Sequence, residues 1–159
     1  MCRCASGSGN INSVIQILVA GFIAGTVDIG AAALIYSLSP EDILRSIAGG
    51  LLGVAALRAG MAVAGMGLLL QWAMSIIIAA IYAAVANFLS VLKRHWIIGG
   101  VACGIVVFLV MNYAVVPLSA WHRRPHFTPL LLSENVAAML LFGLIVAYCT
   151  RTVIRSRST

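Results

Sequence analysis

GMAVAGMGLLLQWAMSIIIAAIYAAVAN, residues 60–87, is a long apolar run without a single charged side chain. An α-helix needs about 20 mostly apolar residues to cross the hydrocarbon core of a bilayer. The run exceeds that length, and its few polar residues, among them Gln71, are too sparse to form a face toward water. We therefore predict a transmembrane helix over residues 60–87.

The composition of the whole chain agrees with a membrane protein. Of the 159 residues, 62% are hydrophobic and 9% are charged, and the mean hydropathy is +1.08. In a soluble domain about a quarter of the residues are charged, so this chain has too little charge to cover a water-facing surface. The net charge of +6 is carried by short basic groups between apolar runs. That pattern argues against nucleic-acid binding and makes the lipid bilayer the expected partner.

Three further apolar runs are predicted to cross the bilayer, namely 13–36, 97–118 and 134–151, the last with the shortest purely apolar part. Residues 1–12 are polar and rich in glycine and serine, and they are predicted to form a flexible tail. The predicted fold class is therefore an all-α integral membrane protein with four transmembrane helices in a single domain, residues 13–155.

A fifth, shorter helix is predicted over residues 40–57. Ser39 can cap it, Pro40 suits its first position, and Glu41 and Asp42 favour the positive end of the helix dipole. Its apolar part, residues 43–57, would extend about 22 Å at 1.5 Å per residue. Because the hydrocarbon core is roughly 30 Å thick, we predict an interfacial or re-entrant helix and not a crossing.

Four crossings place both termini on one side of the membrane. That side carries more of the ten Lys and Arg residues, namely Arg3, Lys93, Arg94, Arg151, Arg155 and Arg157, against Arg45, Arg58, Arg123 and Arg124 on the other. Since basic residues are retained in the cytoplasm, both termini are predicted to be cytoplasmic.

Asp28 is the one carboxylate well inside a predicted crossing. Gln71 and Asn112 are expected at comparable depth in neighbouring crossings, and Arg58 near the mouth as a counter-charge. The four residues are the candidate polar intramembrane cluster. Two interpretations are open: a site for a proton, a cation or a substrate, or a hydrogen bond that only holds helices together.

Small residues on the same helical faces predict close helix packing. Gly21 and Gly25 lie on the face of Asp28 at helical spacing, and Gly60 and Gly67 on that of Gln71. The predicted helix-packing glycines are Gly21, Gly25, Gly60, Gly67, Gly100 and Gly104, the last two in a G-x-x-x-G pattern. The pattern does not distinguish packing within one chain from packing between copies.

Sequence motifs of enzymes are absent, including H-E-x-x-H, G-x-S-x-G and the Walker loop. His122 and His126 have a spacing that would suit zinc on a helix, but Pro125 and two arginines lie between them, so a solvated loop is expected. We predict no catalytic residue, no metal site and no cofactor.

Three segments resemble a family of small bacterial membrane proteins that have no assigned activity: LVAG and GTVDI within residues 18–29, SIAGGLLG at 46–53, and VMNYAVVPLS at 110–119. The resemblance covers roughly residues 18–151 and implies a bacterial inner-membrane location. Family members often have histidine where this chain has Gln71 and Ala138, so a histidine-based proton or metal role is not implied here.

Two functions remain as hypotheses at this point. The first is a transport or channel component for small solutes or protons, which would act as an oligomer because four helices are few for a complete transporter. The second is a non-catalytic membrane module that binds lipid or a partner membrane protein. In the transport hypothesis, the polar cluster lines the path of the transported species. In the membrane-module hypothesis, it only stabilises helix packing.

Overall fold

Five helices make up the structure, a computed structural model that describes residues 7–58, 60–89, 92, 95–120 and 128–156, with side chains from residue 14 to residue 151. In chain order they are α1, Gly7–Tyr36; α2, Pro40–Leu52; α3, Met61–Phe88; α4, Trp96–Leu118; and α5, Pro129–Ser156. A 3₁₀ turn, Val54–Arg58, joins α2 to α3. The described residues contain no strand.

The four long helices confirm the predicted fold class. α1, α3, α4 and α5 are each long and apolar enough to cross a membrane, over Val14–Tyr36, Met61–Phe88, Trp96–Leu118 and Pro129–Arg151. Two of them, α1 and α5, begin five or more residues before the predicted crossings do. α1 starts at Gly7, so residues 7–12 of the predicted tail are helical, whereas residues 1–6 lie outside the described part.

α5 begins five residues before the predicted start at 134 because its N-terminus is capped. The backbone N–H of Leu131 donates to Oγ1 of Thr128 at 3.3 Å, and Pro129 occupies the first helical position. Threonine caps a helix by accepting such a bond, and proline fits the first turn because no partner is needed there for an N–H. Leu130 to Leu132 therefore belong to the crossing and not to the loop.

α2 is the predicted short helix, and it starts at the predicted cap. Ser39 Oγ accepts a hydrogen bond from the backbone N–H of Asp42 at 3.2 Å, and Arg45 pairs with Glu41 and Asp42 at 3.3 and 3.1 Å. The helix ends at Gly53, whose φ of 76° is accessible to glycine at little strain. Its 13 residues extend about 20 Å, less than a crossing requires.

The long helices in closest contact are antiparallel, α1 with α3 and α4 with α5, whereas α3 and α5, which also touch, run in the same direction. α1 packs against α3 and α5, α5 also packs against α4, and α2 lies on α3. We call the end of the bundle where α1 and α4 finish the α2 end, and the opposite end, which contains Phe88, Trp96 and Arg151, the basic end. At the α2 end, the backbone N–H of Ala120 donates to the carbonyl of Gly50 at 2.8 Å, which connects α2 to the segment after α4.

α4 and α5 are in backbone contact at three glycines. A methyl group placed on Gly143 would meet the carbonyl of Gly100 and the backbone of Gly104, and one placed on Gly104 would meet the carbonyl of Met139. In lipid, such close approach increases the van der Waals contact between helices, which is the main source of their association. Gly143 was not among the predicted packing residues.

The other predicted glycines have different neighbours. A methyl group on Gly21 would meet the backbone of Ile76 on α3, at 2.7 Å from Cα, and one on Gly25 would meet the side chain of Ser75. Gly67 packs against the carbonyl of Leu44, so its partner is α2 and not α1.

Gly60 has no packing contact within this chain, so only packing between copies would remain of the role predicted for it. It precedes the first turn of α3 in extended conformation, and a methyl group there would meet no atom within 4 Å. Glycine is among the residues favoured at this N-cap position, which accounts for its place in the sequence without any helix contact.

Replacing Gly143 by alanine is expected to destabilise the protein by about 1–3 kcal/mol, because the new methyl group meets backbone atoms that cannot rotate away. Unfolding of the purified protein in detergent micelles measures the change. Gly65→Ala is the matched control, since a methyl group there meets no atom within 4 Å, and its effect should stay within about 0.5 kcal/mol. Equal stability of both variants would contradict the α4–α5 contact.

Candidate functional site

Asp28 and Gln71 form a direct hydrogen bond between α1 and α3. Gln71 Nε2 donates to Asp28 Oδ2 at 2.7 Å, the Gln71 side chain is buried, and Asp28 is half-buried. The close contacts of Gly21 and Gly25 with α3 bring the two backbones near enough for these side chains to meet. The first part of the predicted cluster is therefore present.

The bond leaves hydrogen-bonding capacity unused. Asp28 accepts a hydrogen bond from no second donor in the described part of the chain, so its other carboxylate oxygen is open. Ser75, one turn from Gln71, donates to the Gln71 backbone carbonyl at 2.9 Å and does not reach the carboxylate. A carboxylate can accept about four hydrogen bonds, so Asp28 can accept a further hydrogen bond from another donor.

A small cavity adjoins this pair in the middle of the bundle. Asp28, Gln71 and Ser75 form its polar side, and its other walls are apolar side chains of α3, α4 and α5, including Met74, Met111, Met139, Ile78, Val107 and Phe142. Its volume of about 10 Å³ is comparable to the space that a single water molecule needs. Unbranched methionine side chains can change shape at low cost, so the apolar walls are adaptable.

Asn112 does not join the pair, contrary to the prediction. Its Nδ2 donates to the carbonyl of Phe108 at 2.9 Å, four residues earlier in its own helix. An amide can satisfy its donor locally in this way, so no interhelical partner is needed. Its neighbour Met111, and not Asn112, lines the cavity.

Arg58 is also not a counter-charge of Asp28. It lies at the end of the 3₁₀ turn, where its side chain is exposed, and these two described residues form no ion pair. Helix α2 separates the two residues, because the 3₁₀ turn that contains Arg58 follows α2 and does not directly follow α1, which contains Asp28.

α4 is irregular next to the cavity. A π-helical turn over Met111–Val115 interrupts the α-helix, and the N–H of Val116 donates to the carbonyl of Met111 five residues earlier. Pro117 has no N–H, and its ring would clash with the carbonyl of Tyr113 in a regular helix, so the wider turn relieves that clash. Such π turns often occur at functional sites, and this one begins at a residue that lines the cavity.

A second polar link joins α1 and α3 on the lipid-facing side, and sequence reasoning did not find it. Trp72 Nε1 donates to Thr26 Oγ1 at 3.3 Å, and the Thr26 hydroxyl donates to the carbonyl of Phe22 at 2.8 Å. The rings of Phe22 and Trp72 are 4.6 Å apart. The sequence contained a signal for this link, because Thr26 lies two residues before Asp28 and Trp72 one residue after Gln71, so both flank the predicted pair.

The described residues bring no three His, Cys, Asp or Glu side chains together as metal ligands. His122 and His126, interpreted from the sequence as part of a solvated loop, lie outside the described residues. Comparison of the chain with protein-family models, with curated proteins and with solved structures finds no match. The site is therefore interpreted from its own geometry.

The Asp28–Gln71 bond is expected to contribute about 1 kcal/mol of coupling free energy, as polar pairs between membrane helices do. A double-mutant cycle with Asp28→Ala and Gln71→Ala, measured by unfolding in detergent, gives this value. The matched cycle is Thr26→Val with Trp72→Phe on the same helix pair, where the longer bond should couple less strongly. Strict additivity of the first cycle would show that the two side chains do not interact.

Proposed function

We propose that this chain is a component of a membrane transport or channel system for protons or small solutes, that it acts as an oligomer, and that Asp28 is the residue that binds the transported species. In this proposal the chain is not an enzyme. The observation that carries it is the carboxylate of Asp28, held by Gln71 beside a small cavity inside four helices that can span a membrane.

The size of the cavity favours the proton among the candidate species. A volume of about 10 Å³ leaves no room for a solute larger than water. A carboxylate with an open acceptor oxygen can take up a proton that arrives as hydronium at an adjacent water position, which leaves neutral water behind, and can later return it. Intramembrane carboxylates commonly have such roles, because the free-energy cost of placing them in the membrane is otherwise uncompensated.

The irregular turn of α4 provides a place where the cavity can open. Met111 lies both in the π turn and in the cavity wall. A change between π and α geometry would move this side chain relative to Asp28, and broken helices at binding sites are common in transporters.

Self-association is part of the proposal because one copy has no continuous polar path through the described bundle. α4 is the span that the rest of the chain buries least. In its most apolar stretch 11% of the residues are buried, against 22% in each of the other three spans. The exposed residues of α4 toward the α2 end, among them Val106, Leu109 and Val110, form the surface where a second copy or a partner membrane protein would be accommodated.

We also propose a bacterial inner-membrane location with both termini in the cytoplasm. The support is the excess of Lys and Arg on the side of the termini, since such residues remain on the cytoplasmic side of the membrane. The four apolar helices support the coarser statement, a multi-pass membrane protein.

The alternative is a non-catalytic module that binds lipid or a partner, with Asp28 and Gln71 acting only in packing. The tight contact of Gly21 and Gly25 with α3 favours it, because a hydrogen bond across such a contact stabilises helices without any transported species. The two functions differ in what Asp28→Asn changes: flux in the first, stability alone in the second.

Asp28→Asn is expected to abolish proton flux while the protein remains folded, because asparagine still offers an oxygen to Gln71 but does not bind a proton at neutral pH. The measurement uses proteoliposomes with a potassium diffusion potential and an internal pH-sensitive dye. Melting of the same preparations reports folding.

Glu134→Gln is the matched control, since it removes a carboxylate near the α2 end of α5 that does not line the cavity. It should leave the flux unchanged. Equal flux in the wild type and Asp28→Asn would refute the role of Asp28. Wild-type flux equal to that of empty liposomes would refute transport and leave the alternative.

A further inference from the structure

Arg151 lies on two aromatic rings at the basic end of the bundle. Its guanidinium carbon is 4.4 Å from the centre of the Tyr148 ring and 5.8 Å from that of Trp96, and the two rings meet edge to face at 5.6 Å. Tyr148 precedes Arg151 by three residues on α5, while Trp96 begins α4. The cluster therefore joins the two helices that are also joined by the glycine contacts.

The cluster lies where the apolar part of both helices ends. Trp96 is the first residue of the α4 span, and Arg151 is the first charged residue after the apolar run 136–149 of α5. Tryptophan and tyrosine are enriched where hydrocarbon meets headgroups. Both Arg151 and Tyr148 are exposed, so the cluster is accessible at that depth to a phospholipid headgroup.

No Asp or Glu side chain is available to neutralise Arg151 at this end. The four Asp and Glu residues of the chain are Asp28, Glu41, Asp42 and Glu134, and all lie toward the α2 end. Arg45 shows the contrast, because it is paired with both Glu41 and Asp42. Arg155 and Arg157, which follow Arg151 in the sequence, and Lys93 and Arg94, which precede Trp96, add only positive charge.

Among the described residues the contacts of Arg151 are with the faces of aromatic rings, and none is a hydrogen bond. Stacking occupies the face of a guanidinium, whereas its N–H groups point outward in the plane, where they match two oxygens of a phosphate. The start of α4 beside Trp96 adds partial positive charge from the helix dipole. An anion at this position would be held by hydrogen bonds, by charge and by the fixed orientation of the side chain.

We propose that Arg151, Trp96 and Tyr148 form a binding site for the phosphate of an anionic phospholipid. Arg151 binds the phosphate, and the two aromatic rings are positioning residues that hold the guanidinium at headgroup depth. The acyl chains lie along the exposed apolar surface of α4, where Ile97 and Ile98 face outward next to Trp96. This site is independent of the transport proposed for Asp28.

The test is competition between lipids of equal acyl chains for the full-length protein. The protein in detergent is mixed with equal amounts of phosphatidylglycerol and phosphatidylcholine, and native mass spectrometry gives the ratio of the two bound forms. The wild type should prefer phosphatidylglycerol. Arg151→Gln should lower that preference about fivefold, the equivalent of about 1 kcal/mol for one interfacial cation.

Arg58→Gln is the matched control, because it removes the same charge from an exposed arginine at the α2 end that lies on no aromatic ring of the described residues. Its preference should equal that of the wild type, whereas Tyr148→Leu should show part of the loss seen for Arg151→Gln. An equal loss in Arg58→Gln would mean that the net charge alone attracts the lipid. An unchanged ratio in Arg151→Gln would refute the site.

Two further measurements distinguish a lipid site from a free-phosphate site and from a structural role of Arg151. Added inorganic phosphate should not displace bound phosphatidylglycerol, and displacement would identify a site for free phosphate instead. Melting in phosphatidylcholine nanodiscs should be nearly the same for the wild type and Arg151→Gln, because exposed cation–π contacts contribute only about 0.5–1 kcal/mol to stability. A large drop in melting temperature would show a structural role and refute the proposal.

Discussion

Backbone contact at glycine is the constraint on which this structure depends. In water, apolar side chains drive helices together, but in lipid they gain little by leaving one apolar environment for another. Helices then associate where their backbones can come closest. Gly21 and Gly25 provide this approach between α1 and α3, and Gly100, Gly104 and Gly143 between α4 and α5. The arrangement of the polar groups follows from these contacts.

The chemistry of each polar side chain decides whether it needs a partner on another helix. Hydroxyl and amide groups can donate to a carbonyl of the preceding turn, as Thr150 does to Val146 at 2.6 Å and Asn112 to Phe108 at 2.9 Å. An ionised carboxylate only accepts, and the backbone N–H groups inside a helix are already bonded. Asp28 must therefore find a donor on a second helix, and Gln71 supplies it.

This difference also accounts for which parts of the site were predictable from sequence. The depth of each residue in its span and the helical face on which it lies were sufficient to pair Asp28 with Gln71, because α1 and α3 are uninterrupted helices that run antiparallel. The same reasoning failed for Asn112, because depth alone does not reveal that an amide can bond within its own helix. It failed for Arg58, whose position depends on the course of the 3₁₀ turn.

The fold itself was predictable to a similar extent. Apolar length gave the four spans, and the Ser39 cap with Pro40 gave the start of α2. The choice of helix partners was not predictable, since Gly67 offers a small side chain to any neighbour and only tertiary structure selects Leu44. Gly143 was missed because it is the only glycine on its helix and fits against the pair Gly100 and Gly104, so no repeated spacing marks it.

The π turn was predictable only in part. Pro117 makes a regular helix unfavourable at Tyr113, which the sequence shows. The position of the wider turn in the cavity wall depends on how α4 packs against α5, which the sequence does not show.

Charge is neutralised differently at the two ends of the bundle. At the α2 end the chain supplies its own counter-ions: Arg45 lies between two carboxylates on the same helix turn. At the basic end no Asp or Glu is available in the sequence, and Arg151 is held instead by the faces of two aromatic rings, which stabilise a cation without cancelling its charge. The remaining positive charge must be balanced by water, ions or lipid, and it lies at the boundary of the hydrocarbon, where all three are within reach.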